Sequence, residues 1–223
     1  VPEDPAYFAR ALAYGGYFET TSFTEEDRGR ADEYAANKQR SELQLKVRDL
    51  TEYLESLDMV IEFRPFDNVG RGRIAQLVNK SNQFNLTTRR YTEEEVRLME
   101  ADDQLFTLQI RLRDRFGDNG MISVVICRER KGSVWEIDTW LMSCRVLGRR
   151  VEHAVLNYLT NECRDRGVLR LIGEYIPTAK NALVKDHYTK LGFQPTEISD
   201  ELTRYELDVD AAQQYEVPIR SEN

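Results

Sequence analysis

From residue 59 onwards the chain alternates short apolar, β-branched runs with amphipathic stretches, and this pattern constrains the fold more than any other feature of the sequence. MVIEFRPF at 59–66 has the period of a strand. Helical stretches follow at Arg73 to Lys80 and at Thr92 to about Ala101, then strand candidates at Phe106 to Asp114, Met121 to Arg128 and Val134 to Met142. The first two of these strands are joined by Phe116-Gly117-Asp118-Asn119-Gly120, whose Asn-Gly pair predicts a hairpin turn. A helix from about Gly148 to Arg166, stopped by Gly167, leads to a strand at Leu169 to Ile176. A helix from Ala179 to Leu191, closed by Gly192, and a strand at Thr203 to Val209 complete the series, and QQYEVPIRSEN reads as a tail.

The first 58 residues differ in character. Asp4-Pro5 predicts a helix start, Gly15-Gly16 a break, and Thr24-Glu25-Glu26-Asp27 a restart with acid in the first turn. Leu43, Leu45, Val47, Leu50, Tyr53, Leu54 and Leu57 then form an approximate helical stripe, which predicts one long amphipathic helix burying against a neighbouring domain. The expected organisation is a helical segment at 1–58, an α/β (α+β) domain at 59–210 and a C-terminal tail at 211–223.

At 223 residues and 41% hydrophobic, the chain can build one sizeable core. Its 39 acidic against 31 basic residues give a formal charge of −8, which opposes binding to nucleic acid or an anionic membrane. No apolar run is long enough to span a bilayer, and VPEDPAYFAR lacks a basic-then-apolar signal pattern, so a cytoplasmic protein is expected. Three cysteines, Cys127, Cys144 and Cys163, without paired ligand spacing, predict free thiols and neither a disulfide framework nor a metal site. A chain that begins at Val1 suggests processing or a segment of a longer protein.

Chemistry concentrates in Ile137 to Glu152, IDTWLMSCRVLGRRVE, where an apolar strand gives way to an arginine-rich turn and then a helix. The unpaired N–H groups of that helix start would face the turn and favour a thiolate, so Cys144 is a candidate nucleophile; a small buried residue at a strand end is the alternative. Asp138, Glu152 and His153 are candidate proton acceptors for it, although a lone histidine in a first helical turn is commonly just solvated. The amide-rich run with Asn82, Gln83 and Asn85 reads, on the residues alone, as a helix end and loop, although amides of this kind also suit a small hydroxylated ligand.

The order of strand, two helices, antiparallel strands, helix, strand, helix, strand over residues 59–210 resembles the GNAT acyltransferase fold, a mixed central sheet flanked by helices. That resemblance implies a pantetheine arm beside the strand that ends near Met142, a phosphate-cradling turn at Arg145, Gly148, Arg149 and Arg150, Asn181 facing the arm, and Tyr188 as general acid. The turn departs from the family pattern: it carries Arg150 or Glu152 where small residues usually sit, which crowds the pyrophosphate of coenzyme A and favours a pantetheine arm on a carrier protein.

Four blocks, NKSNQFNLTTRRY (79–91), LRDRFGDNGMISVVI (112–126), IDTWLMSCRVLGRRVE (137–152) and EYIPTAKN (174–181), together resemble FkbH-like proteins of polyketide biosynthesis. Residues 3–58 resemble the segment after the HAD core in that family. The resemblance implies that a glyceryl group, derived from 1,3-bisphosphoglycerate, passes through a thioester on Cys144 to the phosphopantetheine thiol of an acyl carrier protein. Asn82, Gln83, Asn85, Thr178 and Asn181 would contact the acyl group or arm. It implies no tightly bound cofactor and no metal in this chain. Mg²⁺ belongs to a HAD-type phosphatase domain expected upstream, since the one Asp-x-Asp, Asp208-Val209-Asp210, lies too near the C-terminus to open such a domain. The alternatives are direct transfer of an acyl group to an amine, as GNAT proteins work, and a non-catalytic docking module for the carrier protein.

Overall fold

The computed structural model of the chain describes residues 4–15, 30–47 and 49–222. Among them, eight strands form one mixed sheet: β1 (Met59–Arg64), β2 (Leu105–Asp114), β3 (Gly117–Arg130), β4 (Val134–Met142), β5 (Arg170–Tyr175), β6 (Gln194–Ile198), β7 (Thr203–Asp208) and β8 (Ile219–Glu222). Their order across the sheet is β6-β7-β5-β4-β3-β2-β1-β8. Neighbours from β1 to β4 are antiparallel, whereas β4 and β5 run parallel and β8 adds parallel to β1. The helices are α1 (Phe8–Tyr14), α2 (Arg30–Gln44), α3 (Leu50–Ser56), α4 (Arg71–Lys80), α5 (Glu93–Glu100), α6 (Val151–Asp165) and α7 (His187–Lys190).

Two cores form because the sheet is covered on both faces. Ile74, Val78 and Val96 of α4 and α5 pack with Val124, Ile126 and Leu141, while Val151, Val155 and Leu159 of α6 pack with Val125, Ile137, Trp140 and Met142. Burial on both faces explains why Met121 to Cys127 is apolar but for Ser123, whose hydroxyl donates to the Leu141 carbonyl at 2.6 Å. Thr92 starts α5 as predicted: its hydroxyl accepts from the Glu95 N–H at 3.2 Å, and the Glu95 carboxylate accepts from the Thr92 N–H at 2.7 Å. Gly167 and Gly192, at φ +70° and +87°, end α6 and α7 in the left-handed region, as the sequence predicted for helix stops.

The chain divides into two units, Val1–Lys38 and Gln39–Asn223. In the first, the Asp4 carboxylate accepts from the Ala6 N–H, and Gly15 ends α1. The restart expected near Thr24 lies outside the described residues. The stripe to Leu57 is not one helix, because Asp49 caps a new start by accepting from the Glu52 N–H at 2.9 Å. Tyr53, Leu54 and Leu57 join the core of the sheet, so residues 39–58 belong to the sheet unit.

Three other expectations give way. The hairpin between β2 and β3 turns at Arg115-Phe116, with Asp114 opposite Gly117 and its carboxylate accepting from the Phe116 N–H at 2.9 Å. Asn119-Gly120 sits inside β3 at a register shift, Gly120 taking φ +67°. The helix expected over Ala179 to Leu191 is a 3₁₀ turn, Ala182–Val184, and the single turn of α7. Finally, the expected tail contains β8, and β6 is a strand that the sequence did not predict.

β4 decides the shape of the sheet centre. Cys127 pairs with Ile137 and Ile126 with Thr139, so Asp138 is an extra residue, and Ile137 and Trp140, three apart, face the same core. Pairing of β4 with β5 stops at Ile137 opposite Gly173. Gly173 leaves room for the ring of Tyr188, which a Cβ at that position would overlap. Gly173→Ala is therefore expected to lower stability by about 1–3 kcal/mol, seen in urea denaturation as a lower midpoint at unchanged slope.

Candidate functional site

Cys144 opens the turn between β4 and α6. The Ser143 N–H donates to the Ile122 carbonyl at 2.7 Å, which holds the end of β4 against β3. The Ser143 hydroxyl accepts from Arg145, at 3.4 Å from its N–H and 3.1 Å from Nε, which orders the 3₁₀ turn Cys144–Val146. Gly148 at φ +75° and Arg150 at φ +60° then reverse the chain into α6. Cys144 is exposed, whereas Cys127 and Cys163 are buried. Burial pushes the Cys163 thiol up to about 12 and that of Cys127 well above its usual value.

The N-terminus of α6 has no side-chain cap. Glu152 lies in its first turn, and the Nδ1 of His153 is 3.7 Å from the Glu152 carboxylate, beyond hydrogen-bond reach. Nδ1 and one Glu152 oxygen are buried without a partner. Burial lowers the pKa of His153, with Arg150 adding and Glu152 opposing, so its imidazole is neutral at neutral pH. Its ring sits edge-on to Tyr215, centroids 4.6 Å apart.

Arg149 points elsewhere. It is buried and donates to Asp114 at 3.0 Å, beside Arg40, which donates to both oxygens of the same carboxylate at 2.9 Å. Burial alone would raise Asp114, but Arg40, Asn119 and the Phe116 N–H outweigh it and hold the carboxyl below its ordinary value. The guanidinium of Arg149 thus ties α6 to the β2–β3 hairpin and is not presented to an arm or a carrier, contrary to the expectation from sequence. Arg145 and Arg150 remain part-exposed on the turn.

Asp138 is also committed. One oxygen accepts from Arg89 at 2.7 Å and Arg128 at 2.9 Å; the other accepts from the hydroxyls of Tyr91 at 2.5 Å and Thr139 at 2.9 Å. Burial would raise its pKa, yet Tyr91, Arg128 and Arg89 together lower it. With four donors filling its acceptor positions, this carboxylate is an anchor and not a ready proton acceptor. Arg89 continues to Glu174 at 3.2 Å, which Arg204 also meets at 2.7 Å. Three guanidinium groups thus surround two buried carboxylates beside the β4–β5 junction. Arg128, Tyr91, Glu174 and Arg204 escaped the sequence reading; lone charges inside apolar strands were the available signal.

The remaining candidates meet at residues 84–87. Beyond Ile137 the free edge of β4 pairs with this segment: the Leu86 N–H donates to the Trp140 carbonyl at 3.2 Å, and the Met142 N–H donates to the Phe84 carbonyl at 3.1 Å. On the other side the Ile176 N–H donates to the Leu86 carbonyl at 2.9 Å. Asn181 clamps the segment, its Nδ2 donating at 3.0 Å to the carbonyls of Asn85 and Ile176 and its Oδ1 accepting from the Thr178 N–H at 2.8 Å. Asn85 accepts from the Thr88 N–H at 2.9 Å, and Asn82 accepts from Arg90 at 2.6 Å; Gln83 is exposed. The Thr178 hydroxyl accepts from the N–H groups of Lys180 and Asn181. Asn181 and Tyr188 do not share a helix face, as the sequence suggested, because Asn181 precedes the 3₁₀ turn.

Tyr188 is buried against Gly173, and burial pushes its hydroxyl well above its ordinary value. The rings of Trp140, His187, Phe193 and Tyr205 pack against the Tyr188 ring, and His187 is in turn edge-on to Trp140 at 4.6 Å and to Phe84 at 5.0 Å. Among the described residues no group of three or more His, Cys, Asp or Glu is placed to hold a metal ion. Asp208 accepts from the N–H groups of Asp210 and Ala211, so Asp-x-Asp here shapes a turn.

No protein-family model matches the chain, and no curated protein matches it. Solved structures do. The ribosomal-protein-S18-alanine N-acetyltransferase of Escherichia coli is 14% identical with a TM-score of 0.51, covering 70% of this chain and 97% of that one. A domain from Methanocaldococcus jannaschii is 13% identical with a TM-score of 0.55, covering 68% and 99%. The spermidine N-acetyltransferase of Vibrio cholerae, solved with CoA and spermine, is 12% identical with a TM-score of 0.51, covering 67% and 96%. The chain has the GNAT fold: a mixed eight-stranded sheet flanked by helices. Tested against the pantetheine arm that this fold implies, the β4 edge does not fit, because residues 84–86 already use its backbone groups. No helix among the described residues is long and apolar enough to cross a membrane.

Two outcomes follow from these burials. Iodoacetamide should modify Cys144 alone in the native protein, with Cys127 and Cys163 reacting only after unfolding, as read by peptide mass spectrometry. Burial, aided by His153 and Lys190, pushes His187 down to about 3, whereas the unfolded chain titrates it near 6.5. The unfolded state thus binds a proton that the native state refuses, and stability falls as pH drops from 6.5 towards 3. The slope from this group is at most about 1.4 kcal/mol per pH unit. Urea denaturation between about pH 6.5 and 5 should show a shallower slope in His187→Phe.

Proposed function

We propose that this chain is an acyltransferase domain that receives a small hydroxyacyl group, glyceryl by the FkbH-like resemblance, on Cys144. It then passes the group to the phosphopantetheine thiol of an acyl carrier protein. The observation that carries this reading is the position of Cys144: it is the exposed thiol of the chain, at the start of the 3₁₀ turn Cys144–Val146, on the connection bearing Arg145 and Arg150 that leads from β4 to α6.

In the first step the Cys144 thiolate attacks the acyl carbonyl carbon. The new S–C bond forms as the bond to the donor's leaving group breaks, and that group departs with the electron pair. In the second step the carrier thiolate attacks the Cys144 thioester and Cys144 leaves as thiolate. Thioester exchange is nearly isoenergetic, so the protein must supply a thiolate, stabilisation of the oxyanion and positioning. Arg145 and Arg150, part-exposed on the turn, are the candidate groups for stabilising the oxyanion. His153, neutral and with Nδ1 unpartnered, is the candidate acceptor for the thiol proton. Asp138 and Tyr188 are given no proton-transfer role: one is saturated, the other buried. Gln83 is the exposed amide of the run 82–85 and the one offered to glyceryl hydroxyls. A HAD-type phosphatase domain upstream remains the proposed source of dephosphorylated acyl groups.

Intact-protein mass spectrometry after incubation with a glyceryl-loaded carrier protein tests this. A glyceryl-sized adduct on the wild type and none on Cys144→Ala is the expected result. Carrier binding with no adduct on the wild type would replace transfer with docking.

A further inference from the structure

We propose that residues 84–87 are a built-in occupant of the β4–β5 cleft, and that through them the protein excludes coenzyme A and accepts acyl thioesters only from outside, at the turn carrying Cys144. The second half of this statement rests on the function proposed above; the first half does not.

An acyl-thioester arm laid along a strand needs free backbone groups on that strand and open space beside it. Neither is present. The Trp140 carbonyl and Met142 N–H of β4 are bonded to Leu86 and Phe84, and the Ile176 N–H beyond β5 is bonded to Leu86. The Thr87 hydroxyl donates to the Asp138 carbonyl at 2.8 Å, at the point where the two strands part. Phe84, Asn85, Leu86 and Thr87 are all buried. Asn181, with both amide hydrogens and its oxygen engaged, holds the Asn85 carbonyl and has no donor left for a ligand. Further in, the Tyr188 ring lies flush on Gly173, with Trp140 and His187 packed around it.

The other end of a coenzyme A molecule meets a separate obstacle. A helix N-terminus favours a diphosphate only where no anion is already there. Glu152 puts a carboxylate in the first turn of α6, with one oxygen buried and unpartnered. A diphosphate there would face like charge, whereas a thioester reaching only Cys144 would not need that position.

The test is calorimetric titration of the whole chain with coenzyme A and acetyl-coenzyme A, together with amide hydrogen exchange. No saturable heat is expected up to roughly millimolar ligand. The amides of Leu86, Met142 and Ile176 should exchange slowly, unchanged by either ligand. In Asn181→Ala, which removes the clamp, the Leu86 and Ile176 amides should exchange about tenfold faster. Saturable binding of coenzyme A to the wild type, or fast exchange at Leu86 and Met142 in the free protein, would overturn the proposal. The Cys144 adduct is a separate reading: its failure with coenzyme A still excluded would sink the acyl-transfer function and leave the closed cleft standing.

Discussion

The extra residue in β4 is the constraint on which the centre of this protein depends. By inserting Asp138, β4 shifts its side-chain phase, so Trp140 and Met142 turn to the α6 face while the strand leaves its pairing with β5. That creates two needs at one place. Unpaired backbone groups of β4 require partners, and residues 84–86 provide them. A carboxylate is also brought into a nearly buried position, where desolvation would protonate it unless donors surround it. Arg89, Arg128, Tyr91 and Thr139 are those donors. Arg89 comes from the chain just past the inserted segment, so the ion cluster and the filled cleft are two consequences of one bulge.

Much of the sheet was legible because its signals are local. Thr92 with Glu95, Gly167 and Gly192 act through their own neighbours, and the boundaries of β4 followed from the apolar run between Val134 and Met142. What was missed is nonlocal. Asn119-Gly120 carries the local chemistry of a hairpin turn, yet Asp114, held by Arg40 of α2 and by Arg149 of the turn before α6, draws the turn to Arg115-Phe116. β6 is exposed along its length and contains Pro195, and β8 joins β1 across more than half the chain; neither carries an apolar pattern to announce it. The helix at Ala179 to Leu191 fails because Asn181 satisfies carbonyls of the 84–87 segment and β5, a tie that no window along the sequence contains.

The same distinction separates the site residues. Cys144 was readable because strand end, turn and helix start are consecutive in sequence, and its exposure sets it apart from two cysteines that pack as small apolar groups. Arg149 has the right position in sequence and the wrong partner in space: a buried acid captures it. Arg145 and Arg150, by contrast, are part-exposed on the turn. Charge at a site therefore has to be counted after internal pairing: beside the β4–β5 junction the three guanidinium groups of Arg89, Arg128 and Arg204 are paired with the carboxylates of Asp138 and Glu174.

A filled cleft beside an exposed thiol changes what the GNAT fold can do. Where a cleft holds the donor arm, reaction can proceed directly from donor to acceptor, with both bound at once and no intermediate on the protein. With the cleft occupied by the chain's own backbone, the proposed function would bring donor and acceptor to the same outer turn, one after the other. A residue on that turn that keeps the acyl group between visits would serve that order, and a thiol does so at almost no change in bond energy. On the function proposed for Cys144, covalent storage there and closure of the β4–β5 cleft would be complementary parts of one arrangement, in which Asn181 holds residues 84–87 where an arm would otherwise lie.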